Sequence, residues 1–351
     1  MITTGTARST RRPAGIAILG TGSCLPSHAV GNDEVAAAAG VSGEWIHRKT
    51  GIRNRRRAKP DEATSDLAVA AGRAALEAAG ITAADLSLII VATSTPDSPQ
   101  PPTACVVADG LGAGHGPAAF DVNAVCSGFV FALNTAAHIL AGSDSPYALV
   151  IGADIYSRIL DPADRRTAIL FGDGAGAVVL GPARPARGLL AGQLAGFGAE
   201  RDLIEVPAGG SRLPATPETL AQGLHYFTMN GRGVREFVDA TVAPAIGAFV
   251  TGAGFCIEDI DHFVPHQANG RMLEDLSASL GVPAGRTRLS YEDFGNTGAA
   301  SVPITLDLAA RSGRLSDGNL ILLAGFGGGM AMGLSLLRWQ RNHPSHSTPH
   351  V

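Results

Sequence analysis

Apolar and polar positions along the chain alternate between short strand-length runs and longer stretches of helical period, the pattern of an α/β protein. Gly15–Thr21 reads as a strand. Asp66–Ala79 is an alanine-rich helix that stops at Gly80, and Leu88–Ala92 is an apolar run of the kind buried on both faces of a sheet. Leu149–Gly152 and Gly174–Leu180 are further strands. In the second half, Val234–Val250 reads as helix, Phe263–Val264 ends a strand, and Leu273–Leu280 is a helix stopped by Gly281. Leu320–Ala324 and Ala331–Leu337 are apolar enough for central strands, and Val302–Ala310 for a buried helix. The run Ala118–Phe120 leads through a polar turn to Cys126, followed by the apolar helix Phe129–Leu140.

The pattern repeats. Ala79-Gly80-Ile81, then Asp85-Leu86, then an apolar strand recurs as Ala253-Gly254-Phe255, Asp259-Ile260 and His262–Val264. Leu149-Val150-Ile151 recurs as Ile321-Leu322-Leu323, and each copy closes with a glycine-rich segment and an apolar strand, Gly172–Leu180 and Gly327–Leu336. Two similar βα halves of about 170 residues, stacked on one another, are the economical reading. The expected divisions are a tail at 1–14, one half at 15–183, a second at 184–338, and a polar tail at 339–351.

Composition narrows the class. The 351 residues suffice for two core-forming units, and 45% hydrophobic with 17% charged residues implies much buried surface. Aromatics are 5% of the chain and glycine numbers 45, so the interior relies on close backbone approach and aliphatic packing. A net charge of −4 gives no argument for a nucleic-acid partner. Cys24, Cys105, Cys126 and Cys256 are far apart and form no CxxC pair, which argues against a disulfide framework or zinc site and suits a reducing cytoplasm. Arg8, Arg11 and Arg12 are followed by no apolar core, so residues 1–14 do not read as a signal peptide. No run reaches the ~18 apolar residues of a membrane span. The expectation is a soluble cytoplasmic protein. His343, His346 and His350 in the C-terminal tail read as solvated rather than metal-binding.

A thiol at the start of a helix meets unpaired backbone N–H groups and the positive end of the helix dipole, which lowers its pKa. That makes Cys126 a candidate nucleophile; a small buried hydrophobe is the alternative. V-P-H-Q-A-N puts His266 just past a strand, at the carboxyl end where α/β folds collect functional groups. F-G-N-T-G-A-A-S puts Asn296 in a glycine-flanked turn before an apolar helix. Histidine and asparagine can both donate to one carbonyl oxygen and so stabilise an enolate without a metal. Core roles, a backbone-bonded histidine and a turn-forming asparagine, are the alternatives. Gly327-Gly328-Gly329 could offer a backbone N–H to an oxyanion, whereas Phe171–Gly176 sits in the wrong order for a phosphate loop and reads as glycine-packed core. Ile52–Arg57 (IRNRRR) reads as a solvated basic face, with a phosphate contact as the alternative.

GTGSCLP, EWIHRKTGI, DVNAVCSGF, DPADRRT, FGDGAGAVVL, VPHQAN, GNTGAAS and GFGGGMAMG occur in that order between residues 15 and 338. In these motifs the chain resembles the β-ketoacyl-acyl-carrier-protein synthase III family of the thiolase superfamily. The resemblance implies a five-layered αβαβα fold, a homodimer, and a triad of Cys126, His266 and Asn296. It implies that Cys126 takes an acyl group from a thioester, with the Cys126 and Gly327 N–H groups as oxyanion hole. A malonyl thioester then loses CO2 and attacks, priming fatty-acid or polyketide synthesis. Trp45 and Arg165 are implied to sandwich the adenine of coenzyme A, and Asn269 and Arg271 to line the pantetheine tunnel. Lys49, Gln100 and Phe326 are the further implied substrate-binding positions. The implied partners are acyl-CoA and acyl carrier protein, with neither nucleic acid nor membrane. The phosphopantetheine arm belongs to the substrate; no other cofactor and no metal is expected.

Several positions depart from the family pattern. Lys49 stands for an arginine, Arg166 for a glycine beside the adenine site, and Gln100 for an aromatic residue that crosses the dimer. Val234-Arg235-Glu236 puts an acid where a basic residue would meet an acidic carrier, and the helix around Leu273–Leu280 lacks lysines. Ala324 and Gly325 replace a carboxylate-alanine pair. These suggest a member with altered acyl pocket and carrier preference. A family member that transfers the acyl group without condensation is the alternative, and a catalytically silent dimer partner a more distant one.

Overall fold

The repeat in the sequence is a repeat of sheets in the computed structural model, which describes residues 15–143 and 145–341. The first sheet runs Ile16–Cys24, Gly174–Pro182, Ala148–Asp154, Leu88–Ala92, Ala118–Val122 from edge to edge. Leu88–Ala92 is parallel to both of its neighbours, and the pairings with Gly174–Pro182 are antiparallel. The second sheet runs His262–Pro265, Leu320–Gly327, Ala331–Arg338, Gly188–Gly196, with one parallel pairing followed by two antiparallel ones. Strand for strand, this matches the first sheet read from Leu88–Ala92 to Ile16–Cys24. Ala118–Val122, the strand that leads to Cys126, is matched in the second sheet among the described residues by a single parallel bridge between Phe263 and Thr287 rather than by a strand. The chain crosses from one sheet to the other between Pro182 and Gly188.

Between the sheets lie the helices Gly128–Leu140 and Ser301–Arg311, each buried along most of its length. One apolar cluster joins them to both sheets, through Phe129, Leu133, Val302 and Leu306 against Ile90, Val150, Val264 and Leu323. Each fully buried side chain of this kind is worth about 1.5–3 kcal/mol, so the central layer binds the halves into one core. Thr64–Ala79 and Thr103–Leu111 cover the outer face of the first sheet, and Ala243–Gly252 and Gly270–Leu280 that of the second. The result is five layers, αβαβα.

Phe171–Gly176 is core, and glycine is required there. A Cβ on Gly176 would lie 2.6 Å from the backbone nitrogen of Ile304, so its absence lets helix Ser301–Arg311 lie on the sheet. The helix read as Val234–Val250 begins at Gly231 and runs to Gly252 through one π turn at Val238–Val242.

Two expectations are corrected. The basic cluster Ile52–Arg57 is not a solvated face: Asn54–Arg57 is a strand, and Arg55 is fully buried, donating to Asn32 Oδ1 (2.8 Å) and the Ile169 carbonyl (2.8 Å). Two side-chain and main-chain acceptors inside the fold outweigh the loss of water. The C-terminal tail does not begin at residue 339, because Trp339 joins the core and Gln340 is buried, its Oε1 accepting from Arg184 N–H at 2.7 Å. The expected tail at 1–14 and the histidines at 343, 346 and 350 lie outside the described residues. Among the described residues no helix is long and apolar enough to cross a membrane.

Candidate active site

Cys126 reaches the interface of the halves through a strained turn. Asn123 Oδ1 accepts from Val125 N–H at 3.2 Å, and Val125 takes φ 47°, a left-handed conformation costly for a β-branched residue. The next residues form a tight turn that feeds helix Gly128–Leu140, so Cys126 sits at the helix start. It is nonetheless buried, and its thiol is pushed up to about 12, first by burial and then by the Asp154 carboxyl. This corrects the expectation of a lowered pKa. A helix terminus is worth about 2 kcal/mol at most, and burial beside a carboxylate exceeds that. The resting group is a thiol.

His266 follows strand His262–Pro265, and its N–H donates to the Ala324 carbonyl at 2.7 Å, extending the ladder by one bond. Its Nδ1 lies 2.7 Å from Ser301 Oγ, which leaves Nε2 for the cavity. The ring stands edge-on to Phe326, centroids 5.5 Å apart. Burial pushes the imidazole down to about 3, so it is neutral throughout the physiological range.

Asn296 is pinned to the other half: its N–H donates to the Leu170 carbonyl (2.8 Å) and its carbonyl accepts from Gly172 N–H (2.9 Å). Its Oδ1 accepts from Gly298 N–H at 2.9 Å, which turns Nδ2 outward as a free donor. Gly298 holds φ 58°, and a Cβ there would meet Asp154 Oδ2 at 2.3 Å. Gly327 ends strand Leu320–Gly327 against Cys126, where a Cβ would lie 2.7 Å from Cys126 Cβ and 3.2 Å from Sγ.

Cys126, His266, Asn296, Phe326 and Gly327 line one cavity of about 100 Å³, walled by Phe171 and Phe227. Asn269 and Met272 line both this cavity and an outer groove of about 450 Å³ bordered by Lys49, Arg235 and Arg271. Asn269 Oδ1 caps helix Gly270–Leu280 by accepting from Met272 N–H at 3.0 Å. A second groove, about 560 Å³, holds Arg166 and Arg232 and shares Met229 and Gly231 with the inner cavity. Trp45 is half-buried against the core and Arg165 is exposed; neither lines the inner cavity. Gln100 is exposed and also lies off it.

Four side chains behind the site went unread in the sequence: Asp154, Tyr156, Ser94 and Ser301. An aspartate at the carboxyl end of a buried strand was the available signal for the first. Asp154 is fully buried, pushed up to about 6, and accepts from Ser94 N–H (2.8 Å) and Ala299 N–H (2.7 Å).

Fold and cavity define a thiolase-type α/β protein with cysteine, histidine and asparagine gathered at the junction of its duplicated halves. The family models for 3-oxoacyl-[acyl-carrier-protein] synthase III match residues 120–196 and, for the C-terminal part, 251–339. The chain is 57% identical over 324 residues to the acetoacetyl CoA synthase NphT7 of Streptomyces sp. (strain CL190), covering 92% of this chain and 98% of that protein. It is 43% identical over 330 residues to the β-ketoacyl-[acyl-carrier-protein] synthase III of Symbiobacterium thermophilum, 94% of this chain and 99% of that one. The crystal structure of the priming β-ketosynthase from the R1128 polyketide biosynthetic pathway superposes with a TM-score of 0.85 at 34% identity, covering 96% of this chain and 100% of that one. The chain belongs to the β-ketoacyl-acyl-carrier-protein synthase III family, and it is a transferase of the ketosynthase kind.

Proposed function

We propose that the protein loads a short acyl group from an acyl-CoA onto Cys126 and condenses it with malonyl-CoA to a β-ketoacyl-CoA. The observation that carries this reading is the pair of outward donors, His266 Nε2 and Asn296 Nδ2, each fixed from behind, in the cavity that holds Cys126. Simple acyl transfer has no use for such a pair, whereas an enolate oxygen takes both. In loading, the Cys126 sulfur attacks the thioester carbonyl while the Cys126 and Gly327 N–H groups hold the oxyanion. Neutral His266 relays the thiol proton to the departing CoA sulfur, and the acyl group stays on Cys126. In condensation, the malonyl carboxylate leaves as CO2, the resulting enolate attacks the acyl carbonyl, and Cys126 departs as thiolate. Ser301 Oγ can donate to His266 Nδ1 or accept from it, and so serves both steps.

Size and charge support the choice of substrates. A cavity of about 100 Å³ bounded by Phe171 and Phe227 suits acetyl or a similarly short group. At the mouth, Arg232 is paired with Glu236 (2.9 Å), Arg235 with Asp275, and Arg271 with Glu274 (3.3 Å). Paired arginines give an acidic carrier protein little to steer on, which favours the coenzyme A thioester as extender. The name of the relative NphT7, an acetoacetyl CoA synthase, agrees with that choice. Trp45 and Arg165 take the adenine, Lys49, Asn269 and Arg271 border the path of the pantetheine arm, and Phe326 backs His266. In the active species, a cytoplasmic homodimer, Gln100 borders the partner's acyl pocket. No step calls for a metal or for a cofactor besides the substrate's own phosphopantetheine arm.

The test is an acyl-CoA competition with malonyl-CoA or malonyl-carrier, read by intact-protein mass and product analysis. Acetyl on Cys126, CO2 release and acetoacetyl-CoA are expected. Release of the acyl group to an acceptor without CO2 would replace the reading by acyl transfer. Absence of any adduct would replace it by a silent partner.

A further inference from the structure

Cys126 comes from the first half of the chain and Asn296 from the second, so the two share a cavity only if the halves are held in register there. The turn Gly298–Ala300, which follows Asn296, is seated on the end of strand Ala148–Asp154. Glycine makes room on both sides of the contact. A Cβ on Gly152 would lie 2.5 Å from the Ala299 carbonyl oxygen, and one on Gly298 would collide with the Asp154 carboxylate. Asp154 stands in the space so left, fully buried.

Its two oxygens serve different halves. Oδ1 accepts from Ser94 N–H (2.8 Å) and from the hydroxyls of Ser94 (3.0 Å), Thr95 (3.1 Å) and Thr93 (3.2 Å), all of the first half. The threonine hydroxyls are aimed at it, because Thr93 Oγ1 accepts from Thr95 N–H (3.1 Å) and Thr95 Oγ1 from Ile155 N–H (2.8 Å). Oδ2 accepts from Ala299 N–H (2.7 Å), of the second half. A buried hydrogen bond to a carboxylate is a strong one, and here four further donors hold the acceptor still.

Ala299 N–H is next in the chain to Gly298 N–H, which turns the Asn296 amide outward by donating to its Oδ1 at 2.9 Å. The main chain of Asn296 is pinned by Leu170 and Gly172, and the chain three residues on is pinned by Asp154. Gly298 N–H lies between the two pins. Releasing the second leaves the Asn296 main chain in place and lets Gly298 N–H turn, and the amide with it. Helix Ser301–Arg311, which brings the Ser301 hydroxyl to His266, is held separately by its burial between the sheets.

We propose, on the condensation reading above, that Asp154 is the positioning residue that registers the Asn296 turn on the half carrying Cys126 and, through Gly298, aims the Asn296 amide at the enolate oxygen. On that reading Asn296 Nδ2 is used after acyl loading and not during it.

Asp154→Asn tests the pin by itself. An amide has one acceptor oxygen, and the four donors around Oδ1 outnumber the one at Oδ2. The oxygen therefore settles among Ser94, Thr95 and Thr93, and the NH2 group faces Ala299 N–H, donor against donor. Bonds within the first half survive and the bond between the halves is lost. Acetyl loading of Cys126, followed by intact mass, should stay near the wild-type rate. Condensation of the acetyl-enzyme with malonyl-CoA, followed by CO2 release, should fall by about 10–100-fold, as a misplacement of up to about 1 Å costs. Added to Asn296→Ala, Asp154→Asn should lower condensation little further, because the group it aims is already gone. Equal losses in loading and condensation, or losses that multiply in the double variant, overturn the proposal. If Asp154→Asn does not fold, Gly298→Ala, whose methyl opens the same pin from the turn side, is read in the same way. Failure of both to fold makes Asp154 a folding residue and also overturns it. A wild type that loads acetyl without condensing it defeats the underlying reading, whereas a condensing wild type with the wrong variant pattern defeats only the pin.

Discussion

Ser301 Oγ lies 2.7 Å from His266 Nδ1, and both residues are buried, one opening a central helix and the other ending a strand of the second sheet. This single contact fixes which ring nitrogen faces Cys126. Ser301→Ala should therefore lower the condensation rate by about 10–100-fold, as loss of an orienting partner does, with a small change in melting temperature. Steady-state kinetics beside thermal denaturation would check the separation of the two effects.

Burial keeps His266 neutral down to about 3, whereas an unfolded histidine titrates near 6.5. As pH falls from 6.5 towards 3 the unfolded chain binds a proton that the folded chain refuses, so this contribution to stability is complete above 6.5 and is lost below it. The loss is about 2 kcal/mol between pH 6.5 and 5. Asp154, pushed up to about 6, works in reverse: its contribution is complete below the ordinary carboxyl value and is lost as pH rises to about 6. Denaturant midpoints of wild type and His266→Gln from pH 7 to 4 should converge as pH falls, because the variant lacks the first penalty alone.

Gly327 faces Cys126 so closely that Gly327→Ala would drive a methyl to 2.7 Å from Cys126 Cβ. Both are backbone-fixed atoms, so the turn must shift and with it the Gly327 N–H that we propose holds the oxyanion. We expect acyl loading to fall by at least about 100-fold, as for loss of an oxyanion donor. Intact-mass measurement of the acyl-enzyme against time would read it directly.

Much of this architecture is written locally. Leu88–Ala92 is legible because a strand covered on both faces must be apolar throughout, and Cys126, His266 and Asn296 because each occupies a turn beside an apolar run. Arg55 is not legible, since IRNRRR reads alike whether its middle arginine faces water or the Ile169 carbonyl. The same holds for Tyr156 and Ser94, which acquire meaning only when two strand ends bring their hydroxyls within 2.9 Å of each other. The strand Gly188–Gly196 escapes because its glycines and partly exposed positions blur the alternation that marks a strand.

The misread arginine gives its own prediction. Arg55 is fully enclosed, and of its two hydrogen-bond acceptors the Ile169 carbonyl is buried with it and Asn32 Oδ1 is half-buried. Arg55→Ala leaves both unpaired and opens a void, costing about 3 kcal/mol or more. Chemical denaturation should show that loss as a lower midpoint, and Arg55→Lys should recover part of it because an ammonium reaches one acceptor but lacks the fork.

The cations around the mouth divide into two groups. Arg232, Arg235 and Arg271 each have a carboxylate partner, whereas Lys49, Arg165 and Arg166 have none among the described residues. Paired cations have little attraction left for a ligand, so the phosphates of coenzyme A should depend on the unpaired ones. Arg166 is the informative member, because it lines the groove that joins the inner cavity at Met229 and Gly231 and lies clear of the reacting atoms. Arg166→Gly should raise KM for acetyl-CoA several-fold, about 1 kcal/mol, with kcat nearly unchanged. KM for an acetyl-pantetheine thioester, which lacks the nucleotide, should not move. Raising the ionic strength should weaken wild-type binding of acetyl-CoA more than that of the variant, since one of the screened attractions is already missing from the variant. An equal rise in KM for both thioesters would instead put Arg166 on the path of the arm rather than at the phosphates.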